Sequence, residues 1–446
     1  MTEDDANGSN TGEPGNVVDL AKEKAARVRM EGEANESPGA AAERKAAARI
    51  ANMTNCAVAL RKDSTLQGLF KLNEFAGTVV IMRPPPVMHD KDPPQPGPYP
   101  RDVTDADYGL VQMHLQREHF SAANKTDVRD AVRIVGASKR FHPVRDWLAG
   151  LVWDRTPRLN RWLWRTYSLD AADSQVSDYH DAIAAAFLIG AVRRVRKPGC
   201  KLDAMLILEG SQGIGKSQSV RLLFGDAWFS DSLSPKLESR DAAIGLQGVW
   251  CVEFAEIEQI IRSEVEVIKA FISRQFDKFR VPYATGDTTF PRQCVLVGTT
   301  NSDDYLRDST GNRRFWPVRC RDVDLEWLTE NREQIWAEAA FREAAGEPHW
   351  LDKTMVDALQ GAARMQSERV AVDAWHDIIR GYVAHLSTVS INEILAGAVA
   401  VPIDRQDMKT MKRAADVLRR LGWQRKDVWN NERKKAEKRW VAPDFE

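Results

Sequence analysis

Eight consecutive residues combine the residue types that bind phosphate. From Gly210 to Ser217 the chain follows the pattern G-x-x-x-x-G-K-S. Glycines let a backbone curl until several N–H groups point at a phosphate, the lysine adds a mobile positive charge, and the final hydroxyl is a ligand for Mg²⁺. The run predicts an ATP site with Mg²⁺ as its cofactor. We expect nucleotide contacts from Gly210, Ser211, Gln212, Gly213, Ile214, Gly215, Lys216, Ser217 and Gln218.

Two carboxylates come at the end of an apolar run. Val249–Phe254 is typical of a buried strand and contains Glu253, and Glu256 comes three residues later. A carboxylate at a strand tip holds Mg²⁺, here beside Ser217, and a second one polarises the attacking water. We assign Glu253 to the metal and Glu256 to the base, although the sequence leaves the reverse open. One of the two is alternatively a solvated loop residue.

Three further residues are candidates for catalysis. Asn301 comes directly after an apolar strand, where it would orient water against the γ-phosphate; the alternative is a turn cap. Arg313 and Arg314 precede another apolar strand. One of them would be an arginine finger that reaches the nucleotide of a neighbouring subunit, and the alternative is a pair of salt-bridged surface residues. A GTPase is disfavoured because the chain has no Asn-Lys-x-Asp motif after its last strand.

The elements around these residues predict an α/β phosphate-loop NTPase core. From residue 204, short apolar runs alternate with amphipathic helices, which is typical of a largely parallel sheet. The predicted strands are Met205–Leu208, Trp228–Leu233, Val249–Phe254, Cys294–Gly298 and Phe315–Val318. Residues 281–291, before the fourth of these strands, would form a hairpin.

The C-terminal end is basic. Residues 409–446 hold 12 Lys or Arg against 6 Asp or Glu, although the whole chain has a formal net charge of -1. The order helix, helix, two strands predicts a winged-helix-like module, whose second helix would bury Met408, Met411, Ala415 and Leu418. A solvated basic helix is the alternative to DNA binding. The expected phosphate contacts are Lys409, Lys412, Arg413, Arg419, Arg420, Lys434 and Lys435.

The composition of the chain limits its expected partners and location, and its changes along the sequence suggest domain boundaries. Among 446 residues there is no long uncharged apolar stretch and no secretory leader, so no membrane partner is expected. Five cysteines without a C-x-x-C pair disfavour disulfides and zinc sites of the usual cysteine spacing, and they fit a reducing, cytoplasmic location. The predicted domains are a disordered acidic tail (1–48), a small segment with a Pro-rich linker (49–100), a helical domain (101–200), the ATPase domain (201–346), a helical connector (347–387) and the basic module (388–446).

Five stretches resemble the virulence-associated protein E family of prophages and related mobile elements. They are FHPVRDWLAGLVWDRTPRL (141–159), PGCKLDAMLILEGSQGIGKS (198–217), IKAFISRQFDKFRVPY (268–283), PRQCVLVGTTN (291–301) and YLRDSTGNRRFWPV (305–318). That family is similar to superfamily 3 helicases and other AAA+-type ring ATPases.

The resemblance implies ATP hydrolysis in a DNA-replication setting. The chain would be a ring-forming homo-oligomer, with a hexamer as one candidate, that translocates on or unwinds DNA, and a separate protein would supply the primase. The family's ATPase roles would fall on Lys216, Ser217, the two glutamates, Asn301 and one of the paired arginines. The alternative is a DNA-bound assembly or loading switch that hydrolyses ATP slowly and unwinds little.

Overall fold

The structure of the protein is a computed structural model. It describes residues 50–87, 97–120, 122–170, 173–234, 236–280, 286–306, 312–370, 373–430 and 434–443. The predicted acidic tail at 1–48 lies outside these residues. Two compact units divide the chain, the first ending at Asp146 and the second beginning at Trp147.

The first unit packs three helices on a small sheet. Its helices are α1 (Met53–Lys62), α2 (Asp105–Glu118) and α3 (Lys125–Ala137). Its strands are β1 (Phe70–Asn73), β2 (Thr78–Ile81), β3 (Arg101–Asp102) and β4 (Arg140–Phe141), in the order β3-β2-β1-β4. Helix α2 begins at a capping box in which Thr104 and Asp107 bond each other's backbone N–H groups. Leu60, Val111 and Val132 are among the fully buried side chains of the core.

The second unit is built on a five-stranded parallel sheet. Its strands are β5 (Met205–Glu209), β6 (Phe229–Ser230), β7 (Cys251–Phe254), β10 (Val295–Thr300) and β11 (Phe315–Arg319). Their order is β11-β5-β10-β7-β6, and every neighbouring pair runs parallel. Parallel strands bring their carboxyl ends to one edge, so the segments after β5, β7 and β10 meet there. The mixed α/β fold with a parallel sheet is confirmed.

Helices cover this sheet. The helices of the second unit up to Glu368 are α5 (Trp162–Tyr167), α6 (Ser174–Arg196), α7 (Lys216–Phe224), α8 (Arg240–Gly245), α9 (Ile257–Ser273), α10 (Leu325–Ala344) and α11 (Val356–Glu368), and α4 (Pro143–Gly150) contains the division between the units. Helix α6 is apolar nearly all round and is buried over most of its length, as an Ala-rich helix packed on several sides must be.

Two sequence predictions need adjustment. The strand expected at Trp228–Leu233 is only Phe229–Ser230, because it is an edge strand whose pairing with β7 ends at Ser230; Leu233 instead packs against the core from outside the sheet. The predicted hairpin exists and begins earlier, since β8 (Phe276–Phe279) pairs antiparallel with β9 (Thr288–Pro291). Residues 281–285 of its tip lie outside the described residues.

The C-terminal residues form a small helical cluster with a three-stranded sheet. The elements are α12 (His376–Val383), β12 (Thr388–Val389), α13 (Ile391–Glu393), a π-helical turn (Ile394–Ala398), α14 (Met408–Arg420), β13 (Gln424–Asn430) and β14 (Lys435–Val441). Their sheet has the order β12-β14-β13. Helix α14 buries Ala414, Val417 and Leu418, whereas Met408 is 81% exposed. The predicted buried face was therefore wrong at Met408, which lies in the first turn beyond the reach of the core.

Two other features bear on the predictions. The boundary between the units lies inside the predicted helical domain at 101–200, and α12 shares one core with α14 although the predicted boundary at 388 separates them. The five cysteines are all free thiols. Within the described ranges, no helix is both long and apolar enough to cross a membrane.

Candidate nucleotide site and basic groove

The glycine-rich loop joins β5 to α7 at the carboxyl edge of the sheet. Gly215 has a φ of 99° and caps α7, a left-handed conformation that favours glycine. Gly210 has a φ of 149°, and a Cβ atom there would lie 2.5 Å from the carbonyl oxygen of Cys320. The loop therefore needs glycine at its start for a close backbone approach and at its end for a turn. The N–H groups of the first turn of α7 are oriented as an anion site requires.

The Lys216 side chain folds back over this loop. Its ammonium donates hydrogen bonds to the carbonyl oxygens of Gly210 (2.6 Å) and Ser211 (2.8 Å) and to Oδ1 of Asn301 (3.1 Å). Burial lowers the pKa of the Lys216 ammonium below its usual value, while Glu253 opposes this shift. A buried cation held only by neutral oxygens is stabilised further by any anion that enters the site.

Glu253 connects two strand ends with α7. Its Oε1 accepts hydrogen bonds from Ser217 Oγ (2.5 Å) and from Thr299 Oγ1 (2.7 Å), and its side chain is almost fully buried. Its Oε2 is also buried and has no hydrogen-bond partner within the described parts of the chain. A buried carboxylate oxygen without a donor is costly, and a cation beside it removes that cost. Ser217 Oγ and the Glu253 carboxylate are the oxygen ligands that Mg²⁺ prefers.

Glu256 has surroundings unlike those of Glu253. It is exposed, precedes α9, and has a φ of 50°, an uncommon conformation for a residue with a side chain. Its Oε2 accepts a hydrogen bond from the Gln259 side chain. Left-handed backbone at this point turns the chain out of β7 and into the helix. The turn brings Glu256 to the same opening as Lys216.

These residues surround one cavity of about 310 Å³. It is lined by Gln212, Gly213, Gly215, Lys216, Ser217, Gln218, Ala255, Glu256, Thr299, Thr300 and Asn301. The structure thus brings Lys216, Ser217, Glu256 and Asn301 together from three separate strand ends, with Glu253 beneath them. Each was predicted from the sequence, and the roles assigned to them stay predictions.

Arg313 and Arg314 lie at the amino ends of the parallel strands, opposite to the glycine-rich loop. They belong to a short 3₁₀ turn, Asn312–Arg314, rather than to the strand after it. Phe315 pairs with Met205, the first residue of β5, so the arginines precede the strand end that is farthest from the glycine-rich loop. A five-residue strand spans roughly 16 Å, so neither arginine reaches the loop of its own chain. Arg313 is exposed, and Arg314 donates a hydrogen bond to Ser273 Oγ (2.7 Å).

Two other arginines, which were not predicted from the sequence, lie beside the loop. Arg319 pairs in register with Glu209, and Arg319 and Arg321 line a cavity of about 450 Å³ together with Gly210 and Asn301. Both are more than half exposed; Arg319 bonds Asp303 at 2.7 Å, and Arg321 pairs with Asp170. The signal was available, because a residue at the carboxyl end of a strand parallel to β5 must lie at the loop edge.

Half of the chain matches a known family. The profile of the virulence-associated protein E-like domain matches residues 148–370, which include the loop, both glutamates, Asn301 and the paired arginines. The chain belongs to the virulence-associated protein E-like family. The resemblance of the five sequence stretches is thereby confirmed at the level of the family.

Solved structures similar to this virulence-associated protein E-like chain include three of the NrS-1 C-terminal region. One apo structure has 11% sequence identity and a TM-score of 0.41, covering 84% of this chain and 96% of that chain. Two structures of the A form have 14% and 13% identity and TM-scores of 0.36 and 0.37, each covering 66% of this chain and 78% of theirs. No protein of curated function matches the chain.

The predicted DNA-contacting residues lie C-terminal to the virulence-associated protein E-like domain and have unlike surroundings. Lys409 and Lys412 are exposed on α14. Arg413 instead forms two hydrogen bonds to the Asp373 carboxylate (2.8 and 2.9 Å), and its guanidinium lies 3.9 Å from the centre of the Trp375 ring. That geometry holds α14 against the segment before α12.

The other four predicted contacts are less uniform than a single basic face. Arg419 pairs with Asp416 and lies over the Trp440 ring, and Arg420 is half-buried. Lys434 is exposed between β13 and β14; Lys435 begins β14, and its side chain lies outside the described part.

A groove of about 820 Å³ runs between α14 and the β13–β14 hairpin. Its basic lining side chains are Lys409, Lys412, Arg419, Arg425 and Lys438, and Met408, Met411 and Trp440 supply apolar surface. Three of the five cations, Lys409, Lys412 and Arg419, are among the predicted DNA contacts. The other two, Arg425 on β13 and Lys438 on β14, reach the groove through the pairing of these strands. Cations around an apolar floor suit a ligand with charged and stacked parts.

Proposed function

We propose that this protein is a P-loop ATPase whose catalytic site is the cavity beneath the glycine-rich loop. One observation carries the proposal: Lys216, Ser217, Glu256 and Asn301 converge on a single cavity, above the buried carboxylate of Glu253. The loop N–H groups and Lys216 would bind the phosphates of ATP. The Lys216–Asn301 hydrogen bond links the phosphate-binding cation to the polar group that would orient the attacking water.

Mg²⁺ fits the oxygen atoms that the chain presents. Ser217 Oγ would be a direct ligand, and Glu253, whose Oε2 has no hydrogen-bond partner within the described parts, would complete its surroundings. When bound, Mg²⁺ neutralises charge on the β- and γ-phosphates. Glu256, exposed at the same opening, would accept the proton of the attacking water.

The position of the paired arginines supports a homo-oligomer. Because Arg313 and Arg314 lie at the edge of the sheet opposite to the loop, an arginine finger at this place must act on the nucleotide of another subunit. A closed ring is the arrangement that supplies every site with such a finger. We infer an AAA+-like ring of superfamily 3 helicase type on this basis.

DNA is the proposed partner of the C-terminal groove. Five cations line it, and in a winged-helix arrangement α14 would be the recognition helix and β13–β14 the wing. Together with membership of the virulence-associated protein E-like family, this supports a replicative helicase of a phage or prophage in the cytoplasm of a bacterial host. A separate primase would act alongside it.

The test is ATP turnover with and without single-stranded DNA, combined with strand displacement on a forked duplex. A motor hydrolyses ATP many-fold faster on DNA and separates the fork. Slow hydrolysis, no fork separation and nucleotide-dependent assembly would instead identify the assembly or loading switch. An absence of ATP binding would refute both.

A further inference from the structure

Three metal-binding side chains meet in the first unit, outside the proposed ATPase. Asp63 is the C-cap residue directly after α1, His114 lies in the last two turns of α2, and His119 is the C-cap residue directly after α2. Nε2 of His114 and Nε2 of His119 each lie 2.8 Å from the same oxygen, Oδ2 of Asp63. One carboxylate oxygen and two imidazole nitrogens therefore converge from the ends of two helices.

The carboxylate is held in place by bonds that do not involve the histidines. Oδ1 of Asp63 accepts a hydrogen bond from the backbone N–H of Thr65 (2.8 Å), and the Asp63 carbonyl accepts from the N–H groups of Leu66 and Gln67. This leaves Oδ2 directed at the two rings. In metal sites, the ligands are characteristically oriented by further hydrogen bonds to groups that do not bind the metal.

Burial leaves the cluster open on one side. Side-chain exposure is 10% for Asp63, 6% for His114 and 32% for His119. Of the three ligand groups, only the His119 ring is therefore readily accessible from the surface.

A zinc ion suits these donors better than a hard cation does. Zn²⁺ binds imidazole nitrogen and carboxylate oxygen at about 2.0–2.2 Å, whereas Mg²⁺ and Ca²⁺ select oxygen ligands. Ligand atoms of a tetrahedral ion at that distance lie roughly 3.3 Å apart, so each ring would move back by about half an ångström. His119, at the exposed end of α2, has the freedom to do so.

We propose that Asp63, His114 and His119 form a Zn²⁺ site, with Oδ2 and the two Nε2 atoms as ligands and water in the fourth position. The ion ties the end of α1 to the end of α2 within one core. It replaces hydrogen bonds between the same three groups: each ring then binds the ion through Nε2 and keeps one proton on Nδ1, and any second ring proton is released to solvent. The sequence gives no cysteine signal for this site, since its ligands are two histidines and one aspartate 51 residues before the first.

The experiment uses the full chain, stripped of metal with a chelator and free of nucleotide. Zn²⁺ binding is measured by calorimetry, and Co²⁺ is added separately because its visible absorption reports a four-coordinate nitrogen–oxygen site. His119→Ala and Asp63→Asn are compared with His385→Ala, which removes an exposed histidine of the second unit. Circular dichroism checks that each variant is folded.

We expect one Zn²⁺ per chain, Co²⁺ bands in the wild type and His385→Ala, and at least about 100-fold weaker binding in His119→Ala and Asp63→Asn. If folded His119→Ala binds Zn²⁺ as tightly as the wild type does, or if the wild type binds none, the three residues are only a hydrogen-bonded latch between helices. ATP turnover plays no part in this readout, so its outcome is independent of the proposed ATPase.

Discussion

The ammonium of Lys216 lies 3.1 Å from Oδ1 of Asn301, and this hydrogen bond joins the start of α7 to the end of β10. The two residues are 85 positions apart, and β10 pairs directly with β5, so the sheet itself sets their separation. A phosphate entering between them would replace the carbonyl oxygens of Gly210 and Ser211 as the partners of the lysine.

Replacing Lys216 by alanine should abolish ATP hydrolysis. The lysine is the cation of the cavity lining, and losing one preorganised contact to the transferring phosphoryl group costs about 3–4 kcal/mol, or about 10²–10³ in rate. Steady-state phosphate release measures this, with Lys353→Ala, an exposed lysine outside the cavity, as the matched control. ATP turnover within a few-fold of the wild-type rate would show that this loop is not the catalytic nucleotide site.

Glu253→Gln and Glu256→Gln should separate metal binding from water activation. Glu253 accepts hydrogen bonds from Ser217 and Thr299, so its amide would lose the charge beside Mg²⁺ and weaken both nucleotide binding and turnover. Glu256 is exposed at the mouth of the cavity, so its amide should leave ATP binding intact and stop hydrolysis. A fluorescent ATP analogue and phosphate release give the two readouts. The opposite pattern would exchange the two roles.

The sequence predicted the sheet and the residues around the cavity better than it predicted the arginines. Glu253 and Asn301 can be placed by counting apolar strands, because parallel strands bring the residues at their carboxyl ends to one edge of the sheet. Arg319 can be placed by the same rule. Arg313 cannot, because its partner would be another subunit, and no pattern within one chain records which surface meets a neighbour.

Contacts between distant segments could not be predicted from the sequence, for a different reason. Asp63 and His119 are 56 residues apart, and their meeting depends on how α1 and α2 pack in the core rather than on a local spacing. Arg413 was assigned to DNA because of its place on a basic helix. Its bidentate bond to Asp373 depends on a segment 40 residues earlier, which no helical periodicity reveals.

Lys412→Ala and Arg413→Ala should therefore act differently on the C-terminal module. Lys412 lines the groove, so losing it should weaken DNA binding and lower the slope of log affinity against log salt concentration by about 1. Arg413 holds Asp373 and Trp375, so its loss should lower the melting temperature and leave the slope nearly unchanged.

Fluorescence anisotropy over a salt series, together with thermal melts, distinguishes these two effects. Asp373→Ala is the control, because it breaks the same contact from the acidic side and should copy the stability loss of Arg413→Ala. Deleting residues 388–446 is a poorer test, since it would expose the core that α12 shares with α14. If Arg413→Ala lowers the slope of log affinity against log salt concentration by about 1, Arg413 contacts DNA after all.

His180 should make the second unit less stable in mild acid. Burial, with Arg369 nearby, lowers the pKa of His180 to about 4, and neither ring nitrogen has a hydrogen-bond partner among the described residues. The unfolded chain binds a proton near pH 6.5 whereas the folded chain does so only near pH 4. Stability from this group is therefore complete above pH 6.5 and falls as pH drops, by about 2 kcal/mol between pH 7 and pH 5.

Urea unfolding at pH 7 and pH 5, followed by tryptophan fluorescence, measures that loss. Trp164 reports locally, since its ring centre lies 5.4 Å from that of His180. His180→Leu should flatten the pH dependence, and His385→Leu, at an exposed site, should keep it. An unchanged difference between the two pH values in His180→Leu would assign the acid sensitivity to other groups.

Arg313→Ala should bind ATP normally and fail to hydrolyse it as a homo-oligomer, since its own loop is intact and the missing guanidinium would serve a neighbour. We choose Arg313 as the finger because its side chain is exposed, whereas Arg314 is half-buried and bonded to Ser273. Arg313 also lines a cavity of about 790 Å³ with Trp316 and Trp350, a concave surface that a second subunit could cover.

Mixing the Arg313→Ala and Lys216→Ala proteins should restore part of the activity. The Lys216→Ala subunit lends its intact arginine to the intact loop of an Arg313→Ala neighbour, which neither homo-oligomer can provide. Arg314→Ala, mixed in the same way, should show no such rescue and serves as the matched control. Sedimentation of the mixture establishes that the subunits co-assemble. If co-assembled mixtures stay inactive, no finger acts between subunits, and the ring arrangement loses the feature of the fold on which it was proposed.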